Sequence, residues 1–492
     1  MRQVIISMKN VKFHKTLLLY VLATFSFMAC KKDAPIEELN NLPSDVEVTI
    51  IVNYFSAFVS WTPASDEDDD QLTYDVYLQN SMIADELSDT NYLVDNLEVN
   101  FPYTGKVVVR DGNGGTSETE FSFATGTATK TIGGSGSDFG RIIMEVENGN
   151  YLIASNSTSN DGFVGLNNGS YDIVISKHDP YGNMLWSSVL GSSLNDSVLD
   201  IITTIDNGYL VVGRSGRLFK IDNEGSTTWR TILREDPSNS ESNEFDINSA
   251  IEVSDGYIFA GSESGQSAVL MKTDRGGNYL WDRRFDGSGT DIFRDMILLN
   301  DGNLMVVGET GSNDGDFPNN HGQVDMIVGK FNTNGDAIFI RNVGGTDYDR
   351  AYQIQESNGR IYIGGESWSN DVDFSNNNGL IDSFIGEIDS EGNVIWLKNY
   401  GTAVFNSFRT FFVNDTDIYL SLDDSLDNAW VLKLDQAGNQ IDEIIFGGSG
   451  DDAVSSMVNY ANGTMALIGH SNSTDIEGQT NLGEYDILFY KF

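Results

Sequence analysis

"GGTDYDRAYQIQESNGRIYIGGES" (Gly344–Ser367) and "DSFIGEIDSEGNVIWLKNY" (Asp382–Tyr400) together read as one structural unit. Four short runs rich in Ile, Tyr, Phe and Trp are separated by turn formers, the pattern of β-strands rather than helices. Asn358-Gly359 joins the first two runs and suits the positive φ of a tight hairpin. Asp389 and Gly392 bracket the turn between the last two. Asp opens a type I turn and Gly takes the left-handed position that closes it. The unit predicts one four-stranded antiparallel sheet.

The same punctuation recurs on both sides. Asn148-Gly149, Asn207-Gly208, Asp255-Gly256, Asp301-Gly302 and Asn462-Gly463 repeat the hairpin. Asp179–Gly182, Asp222–Gly225, Asp274–Gly277 and Asp435–Gly438 repeat the second turn, and Trp186, Trp229, Trp281 and Trp396, with Phe339, follow it in register. Units start near Gly133, Gly191, Arg234, Asp286, Gly344, Gly401 and Gly447, and the last, ending in "YDILFYKF", lacks a fourth strand. "TATKTI" (127–132) precedes the first unit and can supply it. Residues 127–492 are therefore expected to form a seven-bladed β-propeller closed by its N-terminal strand. The Gly-Gly-Ser…Asp start and the Asp-x-x-Gly-Asn-x-x-Trp end resemble propeller repeats of secreted Bacteroidetes proteins. They are also similar to pyrroloquinoline-quinone-type and delta-60-type repeats. The resemblance implies the fold and no particular activity.

Residues 43–126 read as a separate small all-β domain. Trp61 lies in an early strand, Tyr74, Val76 and Leu78 alternate in the next, and "YTGKVVVRDGNGG" gives a late strand and turn. This resembles a fibronectin type III sandwich, which implies a spacer or binding module. Before it, residues 1–29 carry Arg2, Lys9, Lys12 and Lys15 ahead of "TLLLYVLATFSFMA", a short apolar run. The run ends at Ala29-Cys30, and Cys30 is the chain's one cysteine. This resembles a bacterial lipoprotein signal peptide. It implies a lipid on Cys30, a tether over 30–42, and placement at the outer membrane or cell surface.

The chain has 492 residues, 73 acidic and 29 basic side chains, and net charge −44, which becomes −48 once residues 1–29 are removed. Such a surface opposes nucleic-acid binding, because phosphate recognition needs clustered Lys and Arg. It also opposes adsorption to anionic lipid, so membrane contact is expected only through the anchor.

Two features mark the face where second-to-third-strand links meet sheet-to-sheet links. The first is a copied loop. "SNDGDFPNNHGQVD" (Ser312–Asp325) recurs as "SNDVDFSNNNGLID" (Ser369–Asp382), with looser versions at Ser159 and Ser473. Asp314, Asp316 and Asp325, repeated as Asp371, Asp373 and Asp382, could supply oxygen ligands to Ca2+. The alternative is turn capping without metal. Asp66, Asp68 and Asp70 in the sandwich invite the same pair of readings. The second feature is Arg141, Arg294, Arg350 and Arg409, each near the start of a unit's first strand. They could clamp carboxylate or sulfate groups in a central channel, or pair internally with Asp138, Asp291 and Asp349.

Beyond the leader the chain has only His178, His321 and His470, no His/Cys metal set, and no visible nucleophile–base pair. The expected function is a non-enzymatic surface lipoprotein whose propeller loop face binds a glycan or protein. The alternative is a hydrolase or lyase acting on an anionic polysaccharide through paired carboxylates.

Overall fold

The computed structural model describes residues 40–52, 56–99, 101–126, 128–233, 245–375, 377–423, 428–459, 464–476 and 479–491. Cys30, the leader, most of the tether, Arg234 and Asn462-Gly463 lie outside the described residues. The chain divides near residue 128 into two compact units. Both are β-structure, and the sole helical element among the described residues is one turn at Glu147–Gly149.

The N-terminal unit holds two sheets. Val48–Val52, Ala57–Trp61 and Asn91–Val94 form one, and Ser81–Leu87, Thr73–Leu78, Pro102–Arg110 and Thr116–Ala124 form the other. Alternating side chains of both enter a shared core of Trp61, Tyr74, Val76, Val107, Phe121 and Phe123. Trp61 and Tyr74 rings lie 5.4 Å apart at its centre.

In the second unit, the described strands from Ala128 to Lys491 assemble into seven four-stranded antiparallel sheets. Their first strands are Asp138–Glu145, Val198–Thr203, Phe245–Val253, Asp291–Leu298, Asp349–Ser357, Phe408–Val413 and Asp452–Asn459. Each packs on the next in chain order, and the last packs on the first. Second and third strands such as Leu304–Thr310 and Asp325–Phe331 are buried at every residue, because both faces are covered by neighbouring sheets. The strand Ala128–Ile132 joins Asp486–Lys491 as the fourth strand of the last sheet.

Three sets of contacts bind sheet to sheet. A polar girdle links the first strands. Asp200 accepts the Ala250 N–H at 2.8 Å, Asp295 accepts the Ile354 N–H at 2.9 Å, and Gln353 accepts the Phe411 N–H at 3.0 Å. Ser456 Oγ accepts the Ile143 N–H at 3.2 Å, tying the last sheet to the first. The register-matched aromatics form the second set. A Cβ built on Gly225, Gly277, Gly335, Gly392 or Gly438 would fall 2.7–2.8 Å from Trp186, Trp229, Trp281, Phe339 or Trp396 respectively. Each ring thus lies flat over the turn glycine of the following sheet, and those glycines have φ between 73° and 83°. In the closing strand Lys130 takes that place, its Nζ donating to the Gly182 carbonyl at 2.5 Å. The third set is hydrophobic and comes from the copied loops. Phe317 and Phe374 are buried in separate inter-sheet clusters.

The hairpins differ in detail from the sequence expectation. Asn148-Gly149 and Asn358-Gly359 both take positive φ, whereas Asp255-Gly256 does not, because Gly256 already pairs with Val253 and the turn is Ser254-Asp255.

Candidate functional site

Every first strand carries one extra residue. The register with the second strand slips at Arg141, Leu199, Asn248, Arg294, Tyr352, Arg409 and Ser455. A bulge bends the strand and re-aims the extra side chain. The seven first strands contact one another in a ring, and the bulge recurs at the same place in each. Arg141, Arg294 and Arg409 are three of these bulged residues. Arg350 stands two residues before Tyr352.

The arginines do not pair with Asp138, Asp291 and Asp349. Those carboxylates are fully buried and held by hydroxyls instead. Asp138 accepts from Ser157 and Ser159, Asp291 from Thr310 and Ser312, and Asp349 from Ser367 and Ser369. Each also accepts a glycine N–H from the link before its strand, Gly134 for Asp138, Gly287 for Asp291 and Gly345 for Asp349. Burial pushes all three above the ordinary carboxylate range.

The partners are residues the sequence did not single out. Glu309, near the end of a second strand, lies 2.5 Å from Arg294 Nη2 and 2.8 Å from Arg350 Nε. Arg350 also sits between the Tyr348 and Trp368 rings, 5.3 Å from each. Arg409 forks onto Asp423, Nε and Nη2 each 2.6 Å from a carboxylate oxygen. Arg141 has no carboxylate partner among the described residues. Its guanidinium lies over Phe139 at 5.6 Å, and burial together with the charge of Arg409 holds its pKa below the usual arginine range.

Beside Arg409 opens a cavity of about 440 Å³ lined by Tyr352, Glu366, Ser407, Phe408, Arg409 and Asp423. Glu366 accepts the Phe408 N–H at 3.1 Å and the Tyr352 hydroxyl at 3.3 Å. Burial raises its pKa. Next round the ring, His470 Nε2 is 3.8 Å from Asp451, which also accepts the Tyr485 hydroxyl at 3.2 Å. Burial lowers the His470 pKa, so the ring is neutral near pH 7.

The copied loops are latches. Asp161, Asp314, Asp371 and Asp475 make the same bond four times. They accept the N–H of Ser135, Ser288, Thr346 and Ser449 at 2.7, 2.7, 2.9 and 2.8 Å. These bonds join second-to-third links to sheet-to-sheet links, so both lie on one face. Asp316 and Asp373 accept the N–H groups of Asp286 and Gly344. Asp325 and Asp382 are fully buried at third-strand starts and accept from His321 and Asn378. The six aspartates are thus distributed over several local bonds. Among the described residues, the one group of three carboxylates close enough to share a cation is Asp66, Asp68 and Asp70.

Among the described residues no helix is long and apolar enough to cross a membrane. No protein-family model and no curated protein matches the chain. Solved structures that are similar to it include BamB from Moraxella catarrhalis, at 14% identity and TM-score 0.38 over 90% of this chain and 100% of that one. The Pan2 WD40 domain of Neurospora crassa is similar at 10% identity and TM-score 0.42, over 73% and 89%. A Bacteroides caccae protein of unknown function is similar at 12% identity and TM-score 0.33, over 58% and 92%. The fold is shown by the strand pairing itself. That pairing makes the chain an all-β repeat protein of four-stranded, propeller-like sheets.

Proposed function

We infer that this is a surface lipoprotein with a fibronectin type III-like domain followed by a seven-bladed β-propeller, whose loop-rich face binds a glycan or protein. One observation carries the binding reading. Arg141, Arg294 and Arg409 are the bulged residues of first strands in a ring of sheets, in a chain with few basic side chains. A rigid scaffold with variable loops on one face is a usual place for recognition. The closing strand and the strand order of the two N-terminal sheets support the two domain readings. Calcium remains part of the proposal at Asp66, Asp68 and Asp70, where the carboxylates already converge.

The anchor is tested by Cys30→Ser. Detergent-phase partitioning should be lost, and retention would remove the lipoprotein reading. The binding reading is tested by probing the immobilised protein with glycan and extracellular-protein arrays. Retention that disappears when loop-face residues change, and persists when the opposite turns at Asp274 or Asp389 change, is the expected result.

A second reading, cleavage of an anionic polysaccharide, is favoured by one detail: Glu366 and Asp423 line the same cavity. Burial raises the Glu366 pKa, the direction a general acid needs. Arg409, however, engages both oxygens of Asp423, which leaves that carboxylate poorly placed to activate water. Product release that Glu366→Gln abolishes would establish the enzyme.

A further inference from the structure

We propose that Arg141 is the anchor of an oxyanion site on the bulged first strands, built to take an isolated carboxylate or sulfate carried by an otherwise neutral glycan. The proposal rests on the loop face being a glycan-binding face and names the chemistry that face reads.

Arg409, Ser455 and Arg141 are the extra residues of three first strands that are consecutive in the ring. Two arginines therefore flank a serine in the order of the ring. Arg409 is held by both oxygens of Asp423. Arg141 is solvent-accessible and has no hydrogen-bond acceptor among the described residues, so all five of its N–H donors are free. Unpaired arginines are common on open surfaces, where water serves them. Arg141 differs in being held over the Phe139 ring with a second cation, Arg409, near enough to lower its pKa. A cation with no carboxylate partner and a second positive charge nearby favours an anionic ligand. Contact with the Phe139 ring fixes its plane, and a planar fork suits a carboxylate or sulfate.

The neighbours narrow the ligand. Tyr171 and Tyr485 are half-buried beside Phe139, offering aromatic surface to the apolar face of a sugar ring. Asp451, Asp161 and Asp347 stand on the same face, and the whole chain carries −44. A string of closely spaced charges would be repelled, whereas a single oxyanion reaches Arg141 within roughly one Debye length, about 10 Å at 0.1 M salt. The site therefore selects sparse charge rather than a polyanion.

The test is calorimetric titration of the full-length protein in detergent. The probes are an oligosaccharide bearing one uronic acid, its carboxyl-reduced counterpart, a monosulfated analogue, a fully charged polyuronate and an acidic peptide. The uronate or sulfate form should bind at least tenfold tighter than the neutral form and tighter than the polyuronate. Arg141→Gln should remove that margin and leave neutral-sugar binding unchanged, with Arg141→Lys recovering part of it and Arg283→Gln, a substitution on a fourth strand, recovering wild-type behaviour. Equal binding of charged and neutral sugars overturns the oxyanion site while leaving glycan binding intact. Preference for the peptide overturns the sugar assignment. Binding of no probe overturns both readings.

Discussion

At the scale of single residues, Asp200 and Asp295 show how a girdle that orders the ring also makes it pH-sensitive. Burial and mutual repulsion raise Asp200 to about 7, and burial raises Asp295 to about 6. A carboxyl whose folded pKa is raised holds its proton more tightly in the folded chain. Its stabilisation is complete below the ordinary value of about 4 and is lost as pH rises through the folded pKa. Melting temperature should therefore fall between about pH 4 and 7 at fixed ionic strength and level off above. Asp200→Asn should be less stable at acid pH, where it loses an acceptor. Its profile should nevertheless be flatter by an amount on the order of 1–3 kcal/mol. Parallel profiles would remove this account. Gly438 makes a second point. Alanine there meets Trp396 at 2.7 Å and is strained at φ 74°. Gly438→Ala should cost about 1–3 kcal/mol in a denaturant melt, whereas Gly302→Ala, with open space around it, should show only the backbone part. The register of Trp and Gly was visible in the sequence. The partners of the arginines were not, because Glu309 and Asp423 lie on second strands whose register only folding brings to the bulges.

At the scale of elements, the copied loop has a structural part to play. Each aspartate caps a neighbouring link, and Phe317 or Phe374 plugs the space between sheets. The copied "DF" in both loops was the sequence signal for that plug, obscured by the attention acidic residues draw. Asp314→Ala should destabilise by about 1 kcal/mol equally with and without calcium, as loss of a cap does. Asp66→Asn with Asp68→Asn should instead abolish whatever calcium-induced rise in melting temperature the N-terminal unit shows. If Asp314→Ala abolishes that rise, the loops hold the metal. The strand Ala128–Ile132 is the other decisive element. Its deletion leaves Asp486–Lys491 with an unpaired edge, so the chain should melt lower and aggregate. Stability equal to the parent would mean that the strand does not close the last sheet. Strand count and turn chemistry were legible because they are local. The bulges were not, since one residue inserted in each first strand leaves the sequence alternation almost unchanged.

At the scale of the whole molecule, the repeat unit has two faces with separate duties. Short Asp-x-x-Gly turns hold the aromatic packing on one, and long links converge on the bulged first strands at the other. The central claim is that a ring of sheets, tied from last to first, presents that second face to a ligand. Amide hydrogen exchange, measured free and with the single-uronate oligosaccharide, tests it most directly. Residues 129–132 should exchange as slowly as their sheet neighbours at Ile487–Phe489, and ligand protection should appear at 137–141, 407–411 and 451–456. Rapid exchange of 129–132, or protection confined to the Asp-x-x-Gly turns, would contradict it.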